Sequence, residues 1–190
     1  VDGLEGACTL LADRLRAALP GKTAELRTRY GADPAALPDV VTVEPHDVDQ
    51  LGVEQWPAVL VVGQETRGIR PVDVGPTSEV YQVRYALRVF VWARGDGYAQ
   101  TDTLRKRLTL GVRELLLTRR LLAPAGRVEP SSLAESYSDL ARDEAGRTIG
   151  GAFIAVEVTL EETLTSETPP VGMVDTVSVD TGSLPPHPAL

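Results

Sequence analysis

A chain of 190 residues with a net charge of −8 is long enough for one domain, or one domain with an extension, and its core needs no covalent staple. A single cysteine, Cys8, excludes a disulfide framework, and with only His46 and His187 beside it no Cys/His zinc cluster can be assembled. The longest strongly apolar run, Ala58 to Val62, is far too short to span a membrane as a helix, and the acidic first residues do not read as a secretory leader, so a cytosolic site of synthesis is expected.

Residues 3–19 read as a helix, with Leu4, Cys8, Leu11, Leu15 and Ala18 or Leu19 on one face and Pro20-Gly21 as its stop. Cys8 falls on that apolar face and is expected in the core rather than as a nucleophile. Thr23 to Tyr30 fits a short strand or a loop, and Gly31 to Pro38 is punctuation. Val40 to Val43 reads as a short strand closed by Pro45. His46-Asp47-Val48-Asp49 has metal-ligand residue types but no further ligand near it in sequence, so a polar loop is the better reading. Pro57 to Gly63 is an apolar run bounded by proline and glycine, hence a buried strand. Gly63 to Pro76 follows as a glycine-containing connection. It lacks the Gly-Lys-Ser/Thr of a phosphate loop, and it is either a hairpin that touches a partner or a plain surface loop.

The most regular stretch runs from Glu79 to Leu122. Tyr81, Val83, Tyr85, Leu87, Val89 and Val91 alternate with Gln82, Arg84 and Arg88, the pattern of a half-buried strand. Phe90 and Trp92 make the second face apolar near its end, which predicts a cover there, another subunit for instance. At strand rise Glu79 to Ala93 spans roughly 50 Å, so a bend or an overhang beyond the core is expected. Gly95-Asp96-Gly97 turns the chain, and Thr101 or Asp102 is placed to cap a helix. Leu104, Leu108, Val112, Leu115, Leu116, Arg119 and Leu122 make its apolar stripe, and Pro124 and Gly126 stop it. Arg105, Lys106, Arg107, Arg113, Arg119 and Arg120 make it basic, with the last pair at the negative end of the helix dipole. A solvated surface, an acidic partner or nucleic acid are the readings of this basic face, in that order.

Ser131 to Ala141 fits a strand better than a short helix. Arg142 to Arg147 is a turn in which Gly146 is free to take positive φ. Thr148 to Leu164 alternates Ile154, Val156, Val158 and Leu160 against Glu157, Thr159 and Glu161, a closing hairpin strand with a bulge or bend expected at Gly150-Gly151. After Arg147 there is no Lys or Arg, so the C-terminal quarter is the acidic part. From Ser166 the composition turns to Pro, Gly, Ser, Thr and Asp, too poor in apolar residues to order itself. A neighbouring subunit would hold such an arm, with Val177-Ser-Val179 adding to a sheet edge. The expected fold is therefore α+β. A mostly antiparallel sheet of about four to five strands is packed by two helices in residues 1–165, and an extended arm follows in residues 166–190.

Three carboxylate pairs, Asp47/Asp49, Asp143/Glu144 and Glu161/Glu162, are the only candidates for acid–base work. Glu161 and Glu162 point to opposite faces of a strand, Asp143-Glu144 sits in a turn, and neither of these two pairs has a histidine, cysteine or glycine-rich loop beside it. No enzyme, catalytic residue, metal or cofactor is expected. Nucleic-acid binding as a primary role is disfavoured by the overall acidity.

Tyr81-Gln-Val-Arg-Tyr-Ala-Leu-Arg-Val-Phe-Val-Trp-Ala-Arg-Gly95, the helix Leu104 to Leu122, Glu135-Ser-Tyr137, and Gly146-Arg-Thr-Ile-Gly-Gly-Ala-Phe-Ile-Ala-Val-Glu-Val158 carry a resemblance. In this order they resemble the tail terminator proteins of long-tailed, siphovirus-type phages, particularly those of actinobacterial hosts, over roughly residues 3–165. The resemblance implies a virion protein of the tail or neck, assembled in the host cytoplasm. It implies a hexameric ring that caps the tail tube, joins it to the head-completion or stopper protein, and passes genomic DNA through an acidic lumen that repels it. The basic helix would then face the sheet and neighbours. A head–tail connector or stopper is the neighbouring reading. Arg67, Ile69, Arg70, Phe90, Trp92, Val177 and Val179 are the expected partner contacts.

Overall fold

The computed structural model describes residues 3–49, 51–75, 78–122 and 126–165. The expected arm at 166–190, with Val177 and Val179, lies outside them. In chain order the elements are α1 (Gly3–Tyr30), β1 (Thr42–Glu44), a 3₁₀ turn (Val53–Gln55), β2 (Ala58–Val74), β3 (Ser78–Gly95), α2 (Tyr98–Thr118), β4 (Leu121–Leu122), β5 (Gly126–Tyr137), β6 (Ala141–Arg142) and β7 (Thr148–Thr165). The class is α+β. Among the described residues the sheet has seven strands in the order β1-β2-β3-β7-β5-β4, with β6 also on β7, rather than four to five. The surplus consists of two-residue strands, β4 and β6, too short to leave a periodic signal. Only β1 and β2 pair in parallel; the other pairs are antiparallel.

The strand at the centre is β3. It pairs with β7 without a break from Ser78↔Thr165 to Gly95↔Thr148. Val83, Tyr85, Leu87, Val89 and Val91 are buried against the helices, as the alternation predicts. The overhang is real and is shared with β2. That strand continues through the expected Gly63–Pro76 connection as far as Val74, paired with β3 through three register shifts. The backbone of β3 templates it, and from Gln64 onward its side chains are exposed. Each shift kinks and twists the pair, so the two strands form a bent arm rising past the helices.

Helix α1 does not stop at Pro20-Gly21. It runs to Tyr30 with Pro20 inside it. Proline removes one helical hydrogen bond, and packing outweighs that loss. Thr23 and Leu26 continue the buried stripe of Leu11, Leu15 and Leu19. A Cβ on Gly111 of α2 would come within 2.9 Å of the Leu26 methyl, so a residue costly in a helix interior is what lets the two helices meet. Four charges brace the same contact. Glu114 of α2 accepts from Arg29 at 2.6 Å and Lys22 at 3.2 Å, and Glu25 accepts from both as well.

The Arg29 hydrogen bond, then Lys22, hold the Glu114 carboxyl below its ordinary 4.5 against the opposing effect of burial. A carboxylate depressed by folding adds stability above its unfolded value and loses it as pH falls through the folded one. Glu114→Gln should therefore melt at a lower temperature than the parent at pH 7. The two melting curves should converge as pH is taken below 4.5, and a gap that persisted in acid would refute an ionic origin.

Helix α2 also departs in detail. It begins at Tyr98 with Gly97 at its N-cap and no side-chain cap. Thr101, one of the two expected caps, is buried inside the helix, where its hydroxyl donates to the Gly97 carbonyl at 2.9 Å; Asp102 instead holds Arg105 and Lys106. The helix ends at Thr118, so Leu122 belongs to β4 and not to the helical stripe. Arg120 donates to the Leu117 carbonyl at 2.8 Å, a basic C-terminal closure of the kind expected there. Gly146 takes φ 75° in the turn before β7. Gly150 and Gly151 make no bulge against β3. Their missing side chains make room instead: a Cβ on Gly150 would meet Leu140 at 2.3 Å, and one on Gly151 would meet the Trp92 ring at 2.8 Å.

Candidate functional site

Both helices lie on the face of the sheet that carries Val83, Leu87 and Val91. Among the described residues no helix or second sheet covers the other face. Its rows follow from the pairing register, because directly paired residues project to the same side. Leu60, Phe90, Phe153 and Ser136 make one row. Val62, Arg88, Ala155 and Ala134 make the next. Phe90 and Phe153 are tilted rings 5.8 Å apart, and the Arg88 guanidinium lies 5.0 Å from the Phe153 ring centre. Toward the arm the face becomes ionic. Glu157 sits 3.8 Å from both Arg67 and Arg84, and Arg67 is held by Glu65 at 2.8 Å.

Four of the expected partner-contact residues share this face: Phe90, Trp92, Arg67 and Arg70, the last opposite Gln82. Ile69, opposite Val83, falls on the helix side of the arm, beyond the helices' reach, and is exposed.

At the end away from the arm the open face runs into a cleft of about 590 Å³. Trp56 and Trp92 stand edge to face in it, 6.5 Å apart at 82°. Leu60 and Ile149 add apolar wall, and Arg94 and Arg142 enter from β3 and β6. Two of the carboxylate pairs meet here, Asp47/Asp49 from the loop after β1 and Asp143/Glu144 from the turn before β7. Arg94 is nine-tenths buried and binds Asp143 at 2.6 Å, but its Nε has no acceptor. Burial pushes the Asp143 carboxyl upward; the Arg147 N–H and the Arg94 charge outweigh it and hold the carboxyl below the usual aspartate range. Asp143 is thus a fixed anion and not a proton donor near neutral pH.

Glu161 and Glu162 do point apart. Glu162 accepts from the Tyr85 hydroxyl at 2.6 Å on the helix side, while Glu161 lies beside Gln82 on the open side. Cys8 is 3% exposed, and burial, the largest influence, raises its thiol pKa. Among the described residues no group of three or more His, Cys, Asp or Glu is placed to hold a metal ion, and no helix is long and apolar enough to cross a membrane.

The basic face expected on α2 is largely spent inside the molecule. Arg105 is buried, Lys106 binds Asp102 at 2.6 Å, Arg113 binds Glu135 at 3.1 Å, and Arg107 lies 4.6 Å over the Tyr30 ring.

Sequence reasoning missed Trp56, Arg94, Arg142 and Phe153 as parts of one surface. The apolar parity of Phe90 and Trp92 was the only available signal.

No protein-family model matches this chain, and no curated protein matches it. Among solved structures, a chain of the virion of a native gene transfer agent (GTA) particle is similar, with 12% identity and a TM-score of 0.38, over 84% of this chain and 99% of that one.

Proposed function

We propose that this chain is a structural virion protein that works by assembly, as a tail-terminator-type ring subunit. The ring would cap the tail tube, join it to the head-completion or stopper protein and leave a lumen for DNA. The observation that carries the reading is the one-sided sheet. A pair of half-buried aromatic side chains, Phe90 and Phe153, with Arg88 laid on them, has helices behind it and, among the described residues, no helix or second sheet in front. Such a face, continued by a bent arm, suits a neighbour better than a substrate. The resemblance described from the sequence points the same way. The role is proposed as non-catalytic. Among the described residues the cleft gathers four carboxylates but no histidine, cysteine, serine or lysine, and its best-held carboxylate is locked to an arginine.

Sedimentation of the full chain, alone and with assembled tail tube, tests this. A ring-sized species in either case is expected, and removal of residues 166–190 would report whether that arm clamps it. Arg88→Glu, an exposed change that inverts the charge on the aromatic row, should reduce assembly while leaving the circular dichroism unchanged. Binding to the connector but not to the tail tube would reassign the chain as a stopper. A protein that stays monomeric and ignores both would overturn the assembly reading.

A further inference from the structure

We propose that the acidic aromatic cleft is the socket for the β2–β3 arm of a second copy of this chain, so that subunits join head to tail. The inference rests on the assembly reading above and names the two surfaces that would carry it.

The socket has unspent capacity. Trp56 and Trp92 offer ring faces and edges for an apolar or guanidinium group. Asp47, Asp49 and Glu144 form no ion pair among the described residues, whereas Asp143 is taken by Arg94. Against those three carboxylates stands Arg142, which lies 6.0 Å over the Tyr98 ring. The cleft therefore has acidic charge to spare. The Arg94 Nε, buried at its wall without an acceptor, is a second and independent sign that the site is incomplete in the isolated subunit.

The plug has the complementary chemistry. Ile69, Val72 and Val74 are exposed at 64%, 55% and 65%, on an arm that no helix covers among the described residues. Glu65 closes onto Arg67, which leaves Arg70 as the arm's unpaired cation among the described residues, with Asp73 nearer the tip. Arg70 projects from one side of the arm and Ile69 and Val74 from the other, so an inserted hairpin sets its guanidinium toward the carboxylate rim and its apolar side chains toward the tryptophan wall. The three register shifts in β2 and the proline at Pro71 blunt its outer edge against plain strand pairing, so the arm offers side chains rather than a free ladder.

Geometry excludes the same subunit as donor. Ile69 lies opposite Val83, and Trp92 lies nine residues further along the same strand, so plug and socket are roughly 30 Å apart at opposite ends of the sheet. An arm that enters the cleft is therefore another copy's. A contact between two different surfaces propagates from subunit to subunit and closes into a ring when the rotation allows.

The full-length chain can be tested directly, because its single native cysteine is buried. Under mild oxidation Arg70→Cys combined with Glu144→Cys should give a ladder of disulfide-linked multimers, and each single variant should give none beyond a dimer. Arg70→Glu and Glu144→Arg change exposed residues and should each weaken self-association about tenfold, with the double exchange restoring it. A protein that assembles normally with either charge reversed, and gives no ladder, overturns the arm-and-cleft contact while assembly stands. A full chain that is monomeric even with tail tube overturns both readings.

Discussion

Leu87→Ala should cost the fold about 3 kcal/mol, within the range for a leucine truncated where the surroundings cannot collapse. Leu87 is 1% exposed on the helix side of β3. Its cross-strand neighbours are Gly63 on β2 and Val156 on β7, and Leu4 of α1 reaches down over Gly63, where a Cβ would come within 2.6 Å. The site is thus shaped by a glycine and filled from above by a helix, with little slack. The strand that carries it is held by β7 along its full length without a register shift, so the backbone cannot sink into the void. Urea unfolding should show a lower midpoint at an unchanged slope. Ile69→Ala, also an aliphatic truncation on this hairpin, should change stability by less than about 0.5 kcal/mol because Ile69 is exposed. Equal losses at the two positions would mean that the arm is packed in the monomer and is no free surface.

The contrast between those two leucine-like positions is also the contrast between what was legible in the sequence and what was not. Around Leu87 the chain alternates cleanly, because one face is buried and the other is not, and that asymmetry writes itself into every second residue. Around Ile69 both faces are exposed, so no period survives. The stretch reads as a connection, although β3 makes it a strand. In α1 the punctuation at Pro20-Gly21 was a true local signal. It lost to a tertiary one, the seat for Leu26 that Gly111 leaves on α2. The open face was half legible. Phe90 and Trp92 broke the alternation and announced a cover. Their neighbours Trp56 and Phe153 are brought beside them only by the sheet order, which no spacing in sequence encodes. The cleft was least legible of all. Asp47 and Asp143 are far apart along the chain, and each pair alone looks like a loop and a turn. The parallel β1–β2 pairing and the β6–β7 corner place them on one rim.

Arg105 shows the same point from the side of charge, and its replacement by leucine should cost about 3 kcal/mol. Helical spacing placed it with Lys106 and Arg107 on a basic surface. The structure turns it inward, with its side chain 9% exposed. There Nε and Nη2 donate to Asp102 at 3.0 and 2.7 Å, and Nη1 donates to the carbonyls of Ser138 and, at 3.2 Å, Gly151. Tyr137 lies 5.5 Å beneath the guanidinium. Leucine would fill part of the volume and satisfy none of these acceptors. Gly151 would keep its bond from the Ser138 N–H at 3.0 Å, so the loss falls on the Ser138 carbonyl and on Asp102. Lysine should rescue poorly, since one ammonium cannot span the carboxylate and the carbonyls as a planar fork does. The penalty also has a pH signature. Lys106 first and Arg105 second hold the Asp102 carboxyl below its ordinary 3.8. That contribution is complete above the unfolded value and disappears as pH falls through the folded one, so the gap between parent and variant should narrow in acid. The consequence reaches the cleft. Arg105 ties the segment after β5 to Gly151, and Gly151 is the residue against which the Trp92 ring rests. Arg105→Leu should therefore weaken self-association at temperatures where the fold is still intact, and Leu87→Ala, at equal loss of stability, should not. Sedimentation of the two variants side by side separates a socket held by Arg105 from a fold merely weakened by its loss.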